Sequence, residues 1–486
     1  MKFPLWTVSE FNKKVDYGVT PYIIVGFCGA GKYKGLTAAR KEEKSMSHSI
    51  SQKFNARTLL GFAFPTIVMM VFMSLYTMVD GFFVSRYVGA DALSAINIVY
   101  PLIGLAVGIG IMLGTGGSAV IARQLGIGEG EEARKNFTRI LLFGLIVGIL
   151  FTVICTVFLE PLLKLMGASD RLMGYCREYM LVLLPFMAPQ LLQTTLGVLF
   201  VTAGKPNLGL GLTILSGLAN MVLDYVFIAV FGWGIAGAAW ATAVGYSIVP
   251  VFALFYFWKP RTELYFVKAA LRADVLVESC LNGSSEMVSN LAASVITWLM
   301  NLLMMHFAGE DGVAAVTVVL YTQFFFTAVF LGFSNGVAPV ISYNYGSRNK
   351  EQLHMVFGIC MRSMAFCSLL MTGAAIVLAK PLIGLFLPDG TAANELTYHG
   401  YLIYSVNYLF AGMNIFISSL FTALSNGKVS AMISMIRTFG FTVAGILLFS
   451  WIWQMNGLWL AVPAAECATL VLALFQVKKY KKVYEY

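Results

Sequence analysis

Charged side chains are scarce in this sequence. Asp, Glu, Lys and Arg together make up 12% of its residues, whereas hydrophobic residues make up 58%. A soluble domain carries roughly 25% charged residues, so the composition argues against a water-soluble protein. Apolar runs recur along the chain at about the 20-residue length that a helix needs to cross a bilayer. The sequence therefore predicts an all-α polytopic membrane protein.

Patterns for metal, nucleotide or nucleic-acid chemistry are also lacking. The four histidines are scattered, with no carboxylate at the spacing of a metalloprotease motif, and no pair of the seven cysteines has metal-ligand spacing. Residues 26–32 (GFCGAGK) have the spacing of a phosphate-binding loop, but Tyr33 stands where Ser or Thr would hold magnesium. The net charge of +9 is spread over short loops rather than clustered on one face. We therefore expect no enzyme activity, cofactor, bound metal or nucleic-acid partner.

Hydropathy divides the chain into two similar halves. Residues 1–46 contain no membrane-length span and no signal-peptide pattern, so we expect a poorly structured extension there, or a true start at Met46. The predicted organisation is an extension (1–46), an N-lobe (47–258), a cytoplasmic linker (259–277), a C-lobe (278–478) and a basic cytoplasmic tail (479–486). Twelve spans follow from the hydropathy, at about 59–84, 93–122, 137–159, 176–203, 207–231, 236–258, 280–306, 313–340, 355–380, 397–422, 428–453 and 456–477.

An internal repeat supports two lobes. Residues 116–126 (GGSAVIARQLG) resemble residues 336–346 (GVAPVISYNYG), 220 positions later, and the segments around Lys205 and Lys428 also correspond. Because each copy holds six spans, both copies have the same orientation in the membrane. Two pseudo-symmetric six-helix lobes around a central cavity are typical of alternating-access transporters.

The distribution of basic residues predicts the orientation. Most Lys and Arg residues past Met46, with Arg437 counted among them, fall in loops that join even to odd spans or at the chain ends. The other loops hold only Arg86, Lys164, Arg171, Arg177 and Lys380. This bias places both termini in the cytoplasm. It also implies that no basic residue lies within the apolar spans, where only acids remain.

Acidic residues within spans mark the candidate site. Asp80 lies toward the far end of the first span, about 22 Å along a helix from Pro65, which bends a helix because it lacks a backbone donor. Asp224 lies near the end of the fifth span, and Asn220 shares its helix face. Glu286 is the acid of the seventh span, and Glu466 in the last span is a fourth candidate. Because an acid within a membrane is costly, each marks an ion or proton site by default.

The sequence resembles the multidrug and toxic compound extrusion family. The resemblance is carried by residues 79–96 (VDGFFVSRYVGADALSAI), the joint at 204–206 (GKP) and residues 220–242 (NMVLDYVFIAVFGWGIAGAAWAT), and it extends over nearly the whole chain after Ser47. The resemblance implies a cation-coupling site formed by Asp80, Asp224, Asn220, Thr242 and Tyr179, with Pro65 as the helix-bending residue. It implies Glu286 as a secondary cation or substrate candidate. The tenth-span acid of the sodium-driven branch is absent, since that region reads NYLFAGMN (407–414).

The function implied is export of lipophilic, often cationic drugs in exchange for H⁺ or Na⁺, with Na⁺ possible at Asp80 and Asp224. We expect a monomer in a bacterial plasma membrane. A flippase for lipid-linked oligosaccharides is the alternative within the same superfamily. Such a flippase would favour basic residues in its cavity to bind the pyrophosphate group, and the charge distribution predicts no basic residue there.

Overall fold

The computed structural model describes residues 50–260 and 262–486, and this part of the chain is almost entirely helical, with no β-strand. The all-α fold predicted from the sequence is therefore confirmed. The predicted extension 1–46, together with Met46, lies outside the described residues.

Six membrane-length helices form the N-lobe. They are α1 (Ala56–Tyr87), α2 (Ala90–Ile127), α3 (Gly130–Val157), α4 (Asp170–Thr202), α5 (Pro206–Val230) and α6 (Gly234–Phe257). A short helix, Leu159–Leu165, joins α3 to α4. Local sequence sets the helix starts: the Asn55 side chain accepts from the Thr58 amide at the start of α1, and Pro206 occupies the first turn of α5, where its missing N–H costs nothing.

The C-lobe repeats this order. Its helices are α7 (Ala273–Gly309), α8 (Asp311–Gly346), α9 (Lys350–Val377), α10, which consists of Ala392–Ser405 and Tyr408–Ala423 at 49° to each other, and a final helical run, Gly427–Tyr484. Helix α7 begins inside the segment 259–277 that the sequence predicts as a linker. Another short helix, Ala379–Gly384, joins α9 to α10 at the place that corresponds to Leu159–Leu165.

The final run consists of two spans. At about 1.5 Å per residue its 58 residues would measure roughly 87 Å, almost three times the hydrocarbon core of about 30 Å. Gln454 has non-helical backbone angles (φ 51°, ψ −128°), and after it the chain turns back, so that Arg437 pairs with Glu466. We therefore divide the run into α11 (residues 427–453) and α12 (residues 455–484), which gives twelve spans, the predicted number, within the described part of the chain.

The repeat is visible in the backbone conformation. Left-handed φ angles occur at Gly89, Gly128, Gly204 and Gly234, and they recur 220 or 221 residues later at Gly309, Arg348, Ser425 and Gln454. The chain thus breaks at equivalent places in both lobes, although three of the later positions lack glycine. A residue with a Cβ in this conformation is strained by about 1–2 kcal/mol.

Replacing Gln454 by Gly is therefore expected to stabilise the protein, by about 1 kcal/mol, because glycine adopts a positive φ without the Cβ clash. Thermal unfolding of the purified protein in detergent measures this change. The control is Lys479→Gly at an exposed, regular helical position, which should destabilise by up to about 1 kcal/mol. A lower melting temperature for Gln454→Gly would contradict the strain at this turn.

Glycines bring the two lobes into backbone contact along a surface that we call the seam. A Cβ on Gly126 of α2 would lie 2.1 Å from the carbonyl oxygen of Tyr343, and one on Gly346 of α8 would lie 2.1 Å from that of Arg123. The two contacts are related by the repeat. The seam continues where Gly116 of α2 meets Ser279 of α7, and where Gly336 of α8 meets Ala63 of α1. An ion pair, Arg123 Nη2 to Glu278 Oε1 at 2.8 Å, joins the lobes beside it.

The seam occupies one end of the helix bundle. Its contacts lie near the beginnings of α1 and α7 and the ends of α2 and α8, which is the membrane face that carries the described termini; we call it the termini face. Toward the opposite face the helices expose large side chains, among them Tyr100 of α2 (50% exposed) and Tyr321 of α8 (45% exposed). These two tyrosines lie near each other across the lobes. The backbone contacts thus hold the lobes together at the termini face, whereas on the other side half-exposed aromatic side chains of the two lobes face each other.

Candidate functional site

The carboxyl groups of Asp80 and Asp224 lie next to each other in the N-lobe. Helix α1 carries Asp80, which is half-buried, and helix α5 carries Asp224, which is fully buried. The two helices approach closely because Gly217 of α5 leaves room for the ring of Phe72 on α1. Asp224 is the last residue before a π-helical stretch, Tyr225–Val230, a geometry that is frequent at functional sites.

The other three predicted side chains complete this cluster. Asn220 lies one turn before Asp224 and its Nδ2 approaches Thr242 Oγ1 of α6 at 3.5 Å, the limit of a hydrogen bond. The buried hydroxyl of Tyr179 on α4 lies beside Thr242 and within electrostatic range of both aspartates. Helix α1 and the three consecutive helices α4, α5 and α6 thus bring together all five residues named from the resemblance.

Several oxygen atoms of the cluster have no partner. Oδ1 of Asp80, both carboxylate oxygens of Asp224 and Oδ1 of Asn220 are buried and accept no hydrogen bond from any described residue. A buried, unpartnered carboxylate is strongly disfavoured, and it can be neutralised by a proton or by a bound cation. No group of three or more His, Cys, Asp or Glu side chains that could share a metal ion exists among the described residues. The donor set, two carboxylates and an amide oxygen, therefore suits a proton or a small monovalent cation.

Sequence reasoning missed the aromatic surroundings of this site. Three tyrosines from different helices lie around Asp80, namely Tyr76 of α1, Tyr100 of α2 and Tyr246 of α6. Tyr76 and Tyr246 lie within electrostatic range of Asp80, and Tyr100 lies within that range of both of these tyrosines. Tyr76 precedes Asp80 by four residues and so shares its helix face, a signal that was available in the sequence. Tyr100 and Tyr246 lie on other helices, and only the packing of the lobe shows that they belong to the site.

Pro65 lies away from the acids. It is buried in α1, which continues as a helix through it, and its neighbours Ala63 and Thr66 pack against Gly336 and Gly332 of α8. Pro65, which has no backbone N–H to donate, therefore lies at the seam and on the same helix as Asp80. A change in the shape of α1 at Pro65 would connect the acid cluster to the contact between the lobes.

Glu286 does not join the N-lobe cluster. It is half-buried in the half of α7 nearer the termini face, and it lines a small enclosed cavity between the lobes. The cavity walls are largely hydroxyl and amide side chains from both lobes, including Thr115, Ser118, Asn335, Ser342 and Thr422. Glu286 thus belongs to a separate polar region at the seam.

The expectation that no basic residue lies within a span is wrong. Arg437 lies in α11, in a π-helical stretch, Ile436–Val443, and its guanidinium pairs with Glu466 of α12 (Nη2 to Oε1, 2.7 Å). The pair is tolerated within the lobe because each charge compensates the other. Glu466, which the sequence shows as one more acid within a span, is therefore not an unpaired acid.

Comparison with known sequences identifies one family. The sequence model described as MatE matches residues 65–226 and 287–447, once in each lobe. The two matched segments contain Asp80, Asp224, Asn220 and Tyr179 in the N-lobe and Arg437 in the C-lobe. Thr242 and Glu466 lie just beyond the matched segments.

Curated relatives and solved structures agree with this match. The chain is 21% identical over 408 residues to "Multidrug export protein MepA" of Staphylococcus saprophyticus, with coverage of 82% of this chain and 87% of that protein. It is 22% identical over 384 residues to the protein of that name in Staphylococcus aureus, covering 77% and 84%. Among solved structures it is similar to "Outward-facing conformation of a multidrug resistance MATE family transporter of the MOP superfamily" (TM-score 0.83, 21% identity, 89% and 97% coverage). Another, "Crystal structure of MATE in the straight conformation", matches equally well (TM-score 0.83, 21% identity, 89% and 98% coverage).

Proposed function

The chain belongs to the MatE family, and from this premise we propose that it is an antiporter that exports lipophilic, often cationic compounds in exchange for H⁺ or Na⁺. The observation that carries the proposal is the acid pair of the N-lobe, in which Oδ1 of Asp80 and both carboxylate oxygens of Asp224 are buried without a partner among the described residues. We place the substrate cleft between the lobes, on the side away from the seam. The proposed activity is the export of one solute coupled to the entry of another.

The mechanism that we propose uses the charge of the N-lobe cluster. With the cleft open, Asp80 and Asp224 take up a proton or Na⁺, which removes the cost of burying their charge. Thr242, Asn220 and Tyr179 lie beside the two carboxyl groups, where they would offer hydroxyl and amide oxygens to an entering cation. Neutralisation allows α1 to change shape at Pro65, and the contact of Pro65's neighbours with α8 transmits the change to the seam.

Substrate and coupling ion compete for the same negative charge. A bound cation lowers the attraction of the cluster for a cationic substrate, so that ion entry favours substrate release. An inward driving force powers the exchange, because one charge that moves through 100 mV contributes about 2.3 kcal/mol. The half-exposed rings of Tyr100 and Tyr321 offer aromatic faces to a lipophilic cation between the lobes.

The proposed setting is a bacterial plasma membrane, with the termini face in the cytoplasm and the protein working as a monomer. The Lys and Arg bias supports this orientation. In that orientation the cleft opens to the outside and the seam closes the cytoplasmic end. Arg437, which lies within a C-lobe span, is neutralised by Glu466 and so offers no free positive charge to the pyrophosphate that the flippase alternative requires.

Accumulation of a fluorescent cationic dye in inverted membrane vesicles tests the proposal. An imposed proton or sodium gradient should drive dye uptake, and an ionophore that collapses that gradient should stop it. Dye movement that ignores both gradients would refute antiport. Transfer of a lipid-linked oligosaccharide without dye transport would favour the flippase.

Replacing Asp224 by Asn is expected to uncouple transport. The amide keeps the size of the side chain, but it has no negative charge with which to bind a proton or Na⁺ at this fully buried position. We therefore expect proton- or sodium-driven dye uptake to fall about tenfold or more, which corresponds to the loss of one charge-assisted contact. Passive dye binding should change less. Full gradient-driven transport by this variant would exclude Asp224 from the coupling site.

A further inference from the structure

The Arg437–Glu466 pair is part of a closed polar network in the C-lobe. Nε and Nη2 of Arg437 donate to Oε1 of Glu466 at 2.9 and 2.7 Å. Nδ2 of Asn414 on α10 donates to Oε2 of Glu466 at 2.7 Å and to its backbone carbonyl at 2.8 Å. Glu466 is 5% exposed and Asn414 is fully buried. Both oxygens of the Glu466 carboxylate are thus satisfied, one of them by a cation.

This network occupies the C-lobe helices that correspond to those of the N-lobe acid cluster. Helices α10, α11 and α12 supply Asn414, Arg437 and Glu466, whereas their counterparts α4, α5 and α6 supply Tyr179, Asp224 and Thr242. Both middle helices carry a π-helical stretch at the charged residue, Tyr225–Val230 in α5 and Ile436–Val443 in α11. The two lobes therefore place charge on the same helices but compensate it differently.

The difference between the lobes lies in the source of the positive charge. In the N-lobe, Oδ1 of Asp80 and both carboxylate oxygens of Asp224 have no partner among the described residues, so the compensating proton or cation has to come from solution. In the C-lobe the guanidinium of Arg437 lies where such a cation would bind. Oδ1 of Asn414, fully buried and without a partner, is a further oxygen at the same place.

We propose that the C-lobe contains a second monovalent-cation site, formed by Glu466 and Asn414, which the guanidinium of Arg437 permanently fills. The site is thereby closed to exchange with solution, and only the N-lobe loads and unloads ions. Glu286, which lies within electrostatic range of Arg437, borders this filled site. The assignment deepens the proposed antiport function, but the site can be tested without transport.

Removing the arginine side chain should open the site to a free cation. In protein that already carries Asp80→Asn and Asp224→Asn, which silence the N-lobe cluster, we compare the parent with Arg437→Ala by thermal unfolding in detergent. The probe is guanidinium chloride at millimolar concentration, with NaCl as a second probe and choline chloride at equal ionic strength as the reference. We expect the melting temperature of the variant to rise with the logarithm of ion concentration above the Kd, by about 2 °C for each tenfold increase, and that of the parent to show no such rise.

The double variant Arg437→Ala/Glu466→Gln is the matched control. It removes both charges, so guanidinium and Na⁺ should no longer stabilise the protein. If Arg437→Ala fails to fold without additive, we expect guanidinium during purification to restore its yield, whereas the double variant should fold without it. Responses of Arg437→Ala equal to those of the parent, or a yield that guanidinium does not restore, would overturn the proposal. The measurement uses neither substrate nor gradient, so a failure of gradient-driven dye transport would count against the antiport function alone.

Discussion

Replacing Asp80 by Asn is expected to abolish gradient-driven dye efflux while the protein still folds and reaches the membrane. Asp80 is the half-buried member of the acid pair, and one of its oxygens has no partner among the described residues. A charge-assisted contact contributes about 1.5–3 kcal/mol, and the loss of about 3 kcal/mol of ion binding lowers the coupled rate about 100-fold. Dye efflux from intact cells and uptake in inverted vesicles both measure this effect.

The matched control for this prediction is Asp91→Asn. Asp91 lies in the first turn of α2 and its side chain is 40% exposed, where it pairs with Arg171. The substitution is chemically identical, but an exposed ion pair contributes little, so we expect wild-type transport. If Asp80→Asn transported dye as well as Asp91→Asn at equal expression, the coupling site would have to lie elsewhere.

Much of the fold could be predicted from the sequence because the bilayer limits what a chain can do. Apolar runs of about 20 residues must become spanning helices, since backbone groups in lipid have no water to bond. The joint between α11 and α12 shows the limit of this rule. Hydropathy predicts a break between these two spans. In the structure the helical hydrogen bonds continue almost without interruption, and Gln454 is the residue whose non-helical backbone angles turn the chain.

The acid cluster could be predicted only in part. Asp80 and Asp224 are conspicuous as carboxylates in apolar segments, and the repeat shows that the C-lobe replaces Asp80 by Met300, which is fully buried. Their proximity, however, depends on how α1 packs against α5. The tyrosines around Asp80 come from three helices, and aromatic residues are so frequent in this sequence that their positions give no separate signal.

Arg437 was misplaced because the positive-inside rule counts basic residues without regard to their partners. Arg437 lies inside the span predicted at about 428–453, so counting it with the preceding loop contradicts that boundary. Its partner Glu466 lies 29 residues away, and the two meet because α11 and α12 are antiparallel about the turn at Gln454.

The other large effect is expected at the seam, where Gly346→Ala should block transport by preventing the lobes from closing. The added Cβ would lie 2.1 Å from the carbonyl oxygen of Arg123 and 2.8 Å from its carbonyl carbon, and neither backbone atom can rotate away. Overpacking of this kind costs typically about 1–3 kcal/mol. Because only the closed arrangement bears the cost, its population relative to the open one should fall about 5- to 150-fold. Gly126→Ala, the counterpart in the N-lobe, should have the same effect.

Two measurements together identify the cause. Dye transport should fall at least about tenfold, and a cysteine introduced at Ser118, beside the seam, should react faster with a membrane-impermeant maleimide applied from the termini face. The control is Gly373→Ala in α9, where an added Cβ meets no atom within 4 Å and the substitution should stabilise the helix by up to about 1 kcal/mol. If Gly346→Ala transports dye as fast as Gly373→Ala, the lobes do not need this backbone contact, and the seam is not the surface that closes in the transport cycle.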